Sequence, residues 1–94
     1  MIYDKWSIFV ATGGMTRGDL LTTIRDILAD VIEDDSLQLS ERTTAEDVAD
    51  WDSINHVKLL IALESELGFR FDTDEVDGLQ NVGELIDLIQ KKIQ

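Results

Sequence analysis

The sequence predicts an all-α domain of four helices, with a long loop between the first and second helices and a short third helix. Three segments, at about residues 17–33, 52–67 and 81–93, carry apolar residues at helical spacing. The chain has 94 residues and no proline, so one small domain accounts for its length and no proline interrupts a helix. A domain of this size buries only about 60–65% of the surface of its unfolded chain, which leaves little room for a deep active site.

The first fifteen residues differ from the rest because they are apolar and nearly uncharged. The run from Trp6 to Ala11 is too short for a membrane helix, and the single lysine before it makes a poor start for a signal peptide. We therefore expect residues 1–15 to be a terminal extension, which either is flexible about a hinge at Gly13-Gly14, packs its apolar run on the domain, or self-associates. Residues 16–94 are expected to form the domain, as a monomer in the cytoplasm.

Charge and composition exclude several classes of function. Eight basic residues against twenty acidic ones give a net charge of −12, which repels nucleic acid and anionic membrane surfaces. Cysteine is absent and histidine occurs once, so disulfides, thiolate metal sites and histidine clusters are excluded. We expect basic protein partners and no metal site.

The first helix is predicted over Arg17–Glu33. Thr16 and Asp19 have the spacing of a capping box, which marks the start of a helix. Its apolar positions follow the helical period: Leu20, Leu21, Ile24, Ile27, Leu28, Val31 and Ile32.

The segment from residue 34 to residue 51 shows no secondary-structure period and is long for a loop within a compact domain. Four apolar residues, Leu37, Leu39, Val48 and Trp51, recur along it. We expect these side chains to pin the loop to the core at intervals.

The second helix is predicted to open at Asp52-Ser53 and to run to Leu67, with Gly68 as its C-cap. A helix that is apolar over more than half of its circumference must be contacted on two sides. We therefore expect this helix to be central in the bundle or to line an apolar cleft. Its apolar residues are Ile54, Val57, Leu59, Leu60, Ile61, Leu63 and Leu67.

The last part of the chain predicts two further helices. After an extended link at residues 69–71, residues 72–78 have room for one or two helical turns. The last helix is predicted to start at Asn81, with Glu84 completing a capping box. It is expected to bury Val82, Leu85, Ile86, Ile89 and Ile93.

Asp52 and Ser53 stand at the junction of the long loop and the second helix. In the simplest interpretation, Asp52 is an N-cap and Ser53 is an ordinary residue of the first turn. A catalytic serine needs a base and an oxyanion hole, and His56 lies only three residues further along the same helix. This geometry argues against a hydrolase, and we predict no catalytic residue.

The run WDSINHVKLLIALESELGF, from Trp51 to Phe69, resembles the prosthetic-group segment of acyl carrier proteins and of the related peptidyl and D-alanyl carrier proteins. In that family an Asp-Ser-Leu/Ile triplet opens the second helix, and the serine carries 4′-phosphopantetheine. The resemblance extends from about Arg17 to Ile93. It implies an acyl-carrier-type four-helix bundle that is a carrier and not an enzyme.

The resemblance also implies a cofactor and a first partner. A phosphopantetheinyl transferase would attach 4′-phosphopantetheine from coenzyme A to Ser53, beside the motif residue Asp52. Acyl groups would then be held as thioesters and delivered to acyl-loading, acyl-transferring or elongating enzymes. The apolar arc of the second helix offers shelter to an acyl chain, although the period alone favours a plain helical core.

Several residues depart from the pattern of fatty-acid carriers. Acidic residues usually follow the modified serine, whereas this chain has Asn55, His56 and Lys58 there, and Trp51 replaces a small residue before the Asp. Lys58 would repel a basic docking patch on a generic fatty-acid enzyme. We therefore expect partners from a specialised lipid, polyketide-like or related pathway.

The predicted docking surface combines two groups of residues. Asn55, Lys58 and Glu66 are expected on the exposed face of the second helix. An acidic flank on the third helix would meet basic docking patches, and it consists of Asp72, Asp74, Glu75 and Asp77.

A competing interpretation comes from residues 73–84, which partly match an EF-hand loop. Thr73 stands where the first carboxylate ligand belongs, while Gly78 and Glu84 match their positions. Losing the first carboxylate should weaken calcium binding severely. The alternative function is therefore a small acidic helical adaptor, or a weak calcium-binding protein, without a prosthetic group.

Overall fold

In the computed structural model, which describes residues 15–93, the chain folds into four α-helices and one short 3₁₀ helix, and these residues form no strand. The predicted all-α fold is confirmed, with its long loop and short third helix. The predicted extension lies outside the described residues except for Met15, which packs against the core. The elements are α1 (Arg17–Ile32), the 3₁₀ helix (Ala45–Asp47), α2 (Ser53–Leu67), α3 (Thr73–Asp77) and α4 (Val82–Ile93).

Short-range caps set both ends of α1. The Thr16 hydroxyl accepts the amide of Asp19 at 3.0 Å, and the Asp19 carboxylate accepts the amide of Thr16 at 3.0 Å, which confirms the predicted capping box. At the other end, Glu33 adopts a left-handed conformation with φ 58°. Glu33 is thus the C-cap that stops the helix, one residue beyond Ile32.

The core is built around α1, which packs against both α2 and α4. Leu20, Ile24 and Leu28 of α1 are completely buried. Burying each of these side chains contributes roughly 1.5–3 kcal/mol to folding. The prediction that the second helix is the central one is wrong, because the first helix occupies that position.

The apolar surface of α2 is only half covered. Leu59 and Leu63 are completely buried, whereas Ile54, Val57 and Ile61 are 68%, 53% and 58% exposed. The expectation that α2 is contacted on two sides is therefore wrong. The bundle covers the side of α2 that carries Leu59 and Leu63, and nothing within residues 15–93 covers the other side.

The long loop is fastened to the first turn of α4. The amides of Val82 and Gly83 donate to the carbonyls of Thr43 and Glu41 at 2.9 and 2.8 Å. First-turn amides of a helix have no partner within the helix, so these loop carbonyls satisfy them. This pairing gives order to a segment in which the sequence shows no period.

The N-terminus of α4 also has a side-chain cap. The Asn81 side chain accepts the amide of Glu84 at 2.9 Å, as the predicted capping box requires. The Glu84 carboxylate, however, accepts the amide of Gln80 at 2.9 Å and not that of Asn81. The predicted box is therefore half correct, and the reciprocal contact lies one residue earlier.

Arg17, the first residue of α1, links the long loop to α4. Its guanidinium forms ion pairs of 2.6 Å with Glu41 and with Asp87, and it also donates to the Gln90 side chain at 3.0 Å. The hydrogen bond from Arg17 lowers the pKa of Glu41 below its usual value. All of these side chains are partly exposed, so we expect each ion pair to contribute little to the free energy of unfolding. Because the contacts share one guanidinium, their main effect is to fix the loop relative to α1 and α4.

The loop is also pinned along its length by apolar side chains, as predicted. Leu37 and Trp51 are buried, and Leu39 and Val48 pack against the core. The indole N–H of Trp51 donates to Nδ1 of His56 at 3.1 Å. This bond joins the end of the loop to the first turns of α2.

Gly83→Ala should weaken the contact between the loop and α4. A Cβ at this position would lie 3.0 Å from the Glu41 carbonyl oxygen. Overpacking costs about 1–3 kcal/mol, and the better helix propensity of alanine returns about 0.5–1 kcal/mol. We expect a net loss of about 1 kcal/mol, measured by urea denaturation followed by circular dichroism.

Gly18→Ala is the matched control, because its Cβ would meet only the Thr16 hydroxyl, at an ordinary 3.7 Å. This variant should be as stable as the wild type or more stable. Equal stabilities of the Gly83→Ala and Gly18→Ala proteins would show that the loop does not press on α4.

His56 should make stability depend on pH near neutrality. Burial lowers the pKa of His56 below its ordinary 6.5, and protonation of Nδ1 would break the bond from Trp51. The unfolded chain takes up the proton first, so this contribution is complete above pH 6.5 and is lost as the pH falls through the folded pKa.

The measurements are the NMR titration of the imidazole and urea denaturation at pH 7.5 and at lower pH. His56→Gln keeps a hydrogen-bond acceptor for Trp51 and should flatten the pH dependence in this range. An imidazole that titrates at or above 6.5 in the folded protein would contradict the role of burial.

Candidate functional site

The start of α2 is capped by Asp52, as predicted. The Asp52 carboxylate accepts the amide of Asn55 at 2.9 Å, and its carbonyl accepts the amide of His56 at 2.8 Å. Ser53 is the first residue of the helix and is exposed. Its hydroxyl therefore lies at the surface on a backbone that the cap holds in place.

The chain just before Ser53 is held from both sides. The Asn55 side chain donates to the carbonyl of Asp50 at 2.8 Å, and Trp51 is buried. Asn55, which the sequence predicts as a docking residue, is half-buried and ties the loop to the helix. These contacts restrict the position of Ser53 relative to the bundle.

The electrostatics of this helix start favour an anion next to Ser53. The cap satisfies the amide of Asn55, which leaves the amides of Ser53 and Ile54 at the N-terminus without an acceptor in the helix. No acidic residue lies in the first turn of α2 itself. Free amides and the positive end of the helix dipole stabilise a phosphate at such a position.

The same residues do not form a nucleophilic centre. The Nδ1 atom of His56 is engaged by Trp51 and not by Ser53. Burial lowers the pKa of His56, so its imidazole is neutral at pH 7. An exposed serine beside free amides fits the attachment of a 4′-phosphopantetheine phosphodiester, in which the chain supplies a position and no catalysis.

An exposed apolar row follows Ser53 along α2. It comprises Ile54, Val57 and Ile61, with exposed Lys58 beside them, and we call these four residues the α2 face. The prediction placed the three apolar residues in a covered surface. Their spacing of three and four residues places these three side chains on one stripe of the helix. Leu59 and Leu63 form a second stripe, which is the one that the core buries.

Glu66, another predicted docking residue, lies away from the α2 face. It is exposed, and it lines a surface groove with residues of α1 that include Asp26 and Asp30. Ser53 and Glu66 are thirteen residues apart, which is roughly 20 Å along a helix. Lys58 lies five residues after Ser53, roughly 8 Å along the helix axis, so it is nearer to Ser53 than Glu66 is.

The acidic residues near α3 are used in two ways. Asp72, Asp74 and Asp77 are exposed. Glu75 is half-buried and forms an ion pair of 2.6 Å with Lys92, whose hydrogen bond lowers the Glu75 pKa. The predicted acidic flank therefore presents three exposed carboxylates, while Glu75 joins α3 to α4.

The calcium-site alternative finds no support in this geometry. Residues Thr73–Asp77 form a helix, and the Glu84 carboxylate caps the amide of Gln80. Between residues 15 and 93, no group of three or more acidic or histidine side chains is arranged to hold a metal ion. In the same part of the chain, every helix is too short or too polar to cross a membrane.

The structure contains a small cavity beside the start of α2, with a volume of about 60 Å³. A water molecule in the liquid occupies about 30 Å³, so the cavity has room for a few atoms and not for a long acyl chain. It is lined by Ala45, Trp51, His56, Leu79, Gln80, Asn81 and Leu85.

Comparison with known proteins gives a consistent result. Residues 22–89 match the family model described as the phosphopantetheine attachment site. The acyl carrier protein of Lactobacillus acidophilus is 30% identical over 76 residues, covering 81% of this chain and 95% of that protein. The acyl carrier protein of Thermosynechococcus vestitus is 31% identical over 80 residues, covering 84% of this chain and 98% of that protein.

A solved structure shares the fold. The solution structure of holo acyl carrier protein from Geobacter metallireducens aligns with a TM-score of 0.73 and 38% identity, over 79% of this chain and 85% of that one. The region that the family model matches, residues 22–89, includes the capped start of α2, the whole of α2, and α4 up to Ile89. The chain therefore belongs to the acyl carrier protein family, whose members are non-catalytic carriers with a 4′-phosphopantetheine prosthetic group.

Proposed function

We propose that Ser53 is the residue that carries 4′-phosphopantetheine, and that the loaded protein serves a specialised lipid, polyketide-like or related pathway. The observation that carries the assignment is the position of Ser53 as the exposed first residue of a helix capped by Asp52. Among serines of α2, Ser65 is also exposed, but it lies in the last turns, where the amides are bonded within the helix.

Each residue at the start of α2 has a part in this function. Asp52 caps the helix and fixes the backbone of Ser53, while the amides of Ser53 and Ile54 stabilise the negative charge of the phosphodiester. Asn55 and Trp51 hold the preceding loop. When bound, the prosthetic group supplies a thiol that forms thioesters with acyl groups.

The proposed partners are a phosphopantetheinyl transferase and enzymes that load, transfer or elongate acyl groups. The exposed carboxylates Asp72, Asp74 and Asp77 suit basic docking patches on such enzymes. Exposed Lys58 supports the specialised pathway, because a cation on the surface of α2 repels a partner whose basic patch approaches this helix directly.

A phosphopantetheinyl transferase should modify Ser53 and no other residue. Incubation with coenzyme A, Mg²⁺ and a broad-specificity transferase should add one phosphopantetheine, detected by intact mass. Ser53→Ala should abolish the addition without changing the helical circular dichroism, because Ser53 is exposed and Asp52 retains its cap.

Ser65→Ala is the control, because Ser65 is an exposed serine on the same helix. It should be modified like the wild type. Addition to the Ser53→Ala protein would overturn the assignment. So would failure of the wild type to react under conditions in which a known carrier is modified.

Reversing the charge at Lys58 should change the choice of enzyme. We expect Lys58→Glu to improve loading or elongation by general fatty-acid enzymes and to impair the dedicated partner. The expected change is about two- to fivefold at low salt, since exposed charge pairs contribute about 0.2–1 kcal/mol, and it should shrink as salt is raised. The rates are measured by mass spectrometry of the acylated carrier.

Lys91→Glu makes the same change in net charge at an exposed position on α4 and serves as the control. It should leave the preference between enzymes unchanged. The pathway assignment fails if the wild type already serves a general fatty-acid synthase as well as that system's own carrier does and Lys58→Glu has no effect.

A further inference from the structure

The hydrogen bond from Trp51 fixes which nitrogen of His56 carries the proton. The indole N–H donates to Nδ1 of His56 at 3.1 Å, so Nδ1 is an acceptor and carries no proton. Burial lowers the pKa of His56, so the imidazole is neutral at pH 7 and its single proton lies on Nε2. The ring nitrogen that Trp51 does not contact is therefore a neutral N–H donor.

The fold makes no use of this second nitrogen. Nε2 of His56 forms no hydrogen bond with any residue between 15 and 93. In this part of the chain, every fully buried side-chain nitrogen and oxygen has a hydrogen-bond partner. Nε2 has none, so it is accessible from outside the bundle and can donate to water or to a ligand.

His56 lies one helical turn after Ser53. The backbone amide of His56 donates to the Asp52 carbonyl at 2.8 Å, so the helix is regular across this turn. Side chains three residues apart on a helix share a face, with Cβ atoms about 5–6 Å apart. Both the imidazole and a group attached to the Ser53 hydroxyl extend beyond their Cβ atoms, which places such a group within reach of Nε2.

The surroundings of His56 contain little other charge. On α2, the nearest acid is Asp52, whose carboxylate already accepts the amide of Asn55 at 2.9 Å. On the side away from solvent, His56 borders the small cavity, and no side chain that lines this cavity is charged. An anion on Ser53 would therefore meet a donor that no other charge engages. The other residues that line the cavity are Ala45, Trp51, Leu79, Gln80, Asn81 and Leu85.

We propose that the Nε2–H of His56 donates to a phosphodiester oxygen of the 4′-phosphopantetheine carried by Ser53. A hydrogen bond to an ionised acceptor is stronger than one between neutral groups, and the backbone amides of Ser53 and Ile54 stabilise the same negative charge. His56 thereby orients the first bonds of the arm relative to α2 and performs no catalysis. This proposal rests on the proposed function, because it needs the prosthetic group at Ser53.

Phosphorus NMR of the holo form tests this contact. The full 94-residue chain is loaded with coenzyme A and a transferase, and attachment of one group at Ser53 is checked by intact mass. A phosphodiester does not titrate near neutral pH, and His56 is the one histidine of the chain. The ³¹P resonance should therefore shift with pH at the same midpoint as the imidazole. The pKa of His56 should be higher in the holo form than in the apo form, because the anion stabilises the imidazolium.

Two variants at position 56 separate a hydrogen bond from a general effect of substitution. His56→Gln keeps an oxygen that accepts from Trp51 and an N–H that donates to the phosphodiester, whereas His56→Leu has neither group. Both variants should lose the pH-dependent ³¹P shift. At pH 7.5, the ³¹P resonance should stay close to that of the wild type in His56→Gln and should move in His56→Leu, with the fold of each checked by circular dichroism.

Three outcomes in protein loaded at Ser53, or in its apo form, would overturn the proposal. They are a ³¹P resonance that stays constant while the imidazole titrates, equal ³¹P resonances in the His56→Gln and His56→Leu proteins, or a proton on Nδ1 in the imidazole ¹⁵N spectrum of the apo form. A wild type that takes up no phosphopantetheine would overturn both proposals. The intact mass therefore distinguishes that failure from a failure of the His56 contact alone.

Discussion

The contact between the long loop and the first turn of α4 sets the position of the functional site. The carbonyls of Glu41 and Thr43 take the amides of Gly83 and Val82, which would otherwise lack partners at the start of the helix. Arg17 binds Glu41 and adds α1 to the same junction.

The other end of the loop is fixed to the start of α2, where the candidate site lies. Trp51 is buried and bonded to His56, and Asp50 accepts the side chain of Asn55. Ser53 consequently projects from a fixed helix start without contributing to the core. This arrangement suits the proposed attachment point, which several enzymes must reach while the chain itself performs no chemistry.

The sequence predicted the helices well because their signals are local. Apolar periodicity and caps such as Thr16 with Asp19 depend on residues three or four positions apart. The period of α2 could not tell how many neighbours cover it, since Ile54 and Leu59 are equally apolar in sequence but opposite in exposure. That distinction depends on the placement of α1, which is a property of the whole bundle.

The loop contacts were hidden for a different reason. Hydrogen bonds between backbone groups, such as Gly83 to Glu41, require no particular side chain. The glycine itself was a signal, since a Cβ there would approach the Glu41 carbonyl to 3.0 Å. Likewise, Trp51 and His56 are five residues apart, a spacing that predicts no contact within a helix, and their bond arises only where the loop turns into α2.

A comparison of ¹H–¹⁵N NMR spectra before and after attachment of 4′-phosphopantetheine tests most directly whether Ser53 is presented on a helix start that is already in place. We predict that the shifts are confined to the first turns of α2 and to the adjoining residues 50–52. The amides of Val82 and Gly83 should keep the same protection from hydrogen exchange in both forms. Widespread shifts through α1 and α4, or a change in protection at the loop junction, would contradict this view of the site.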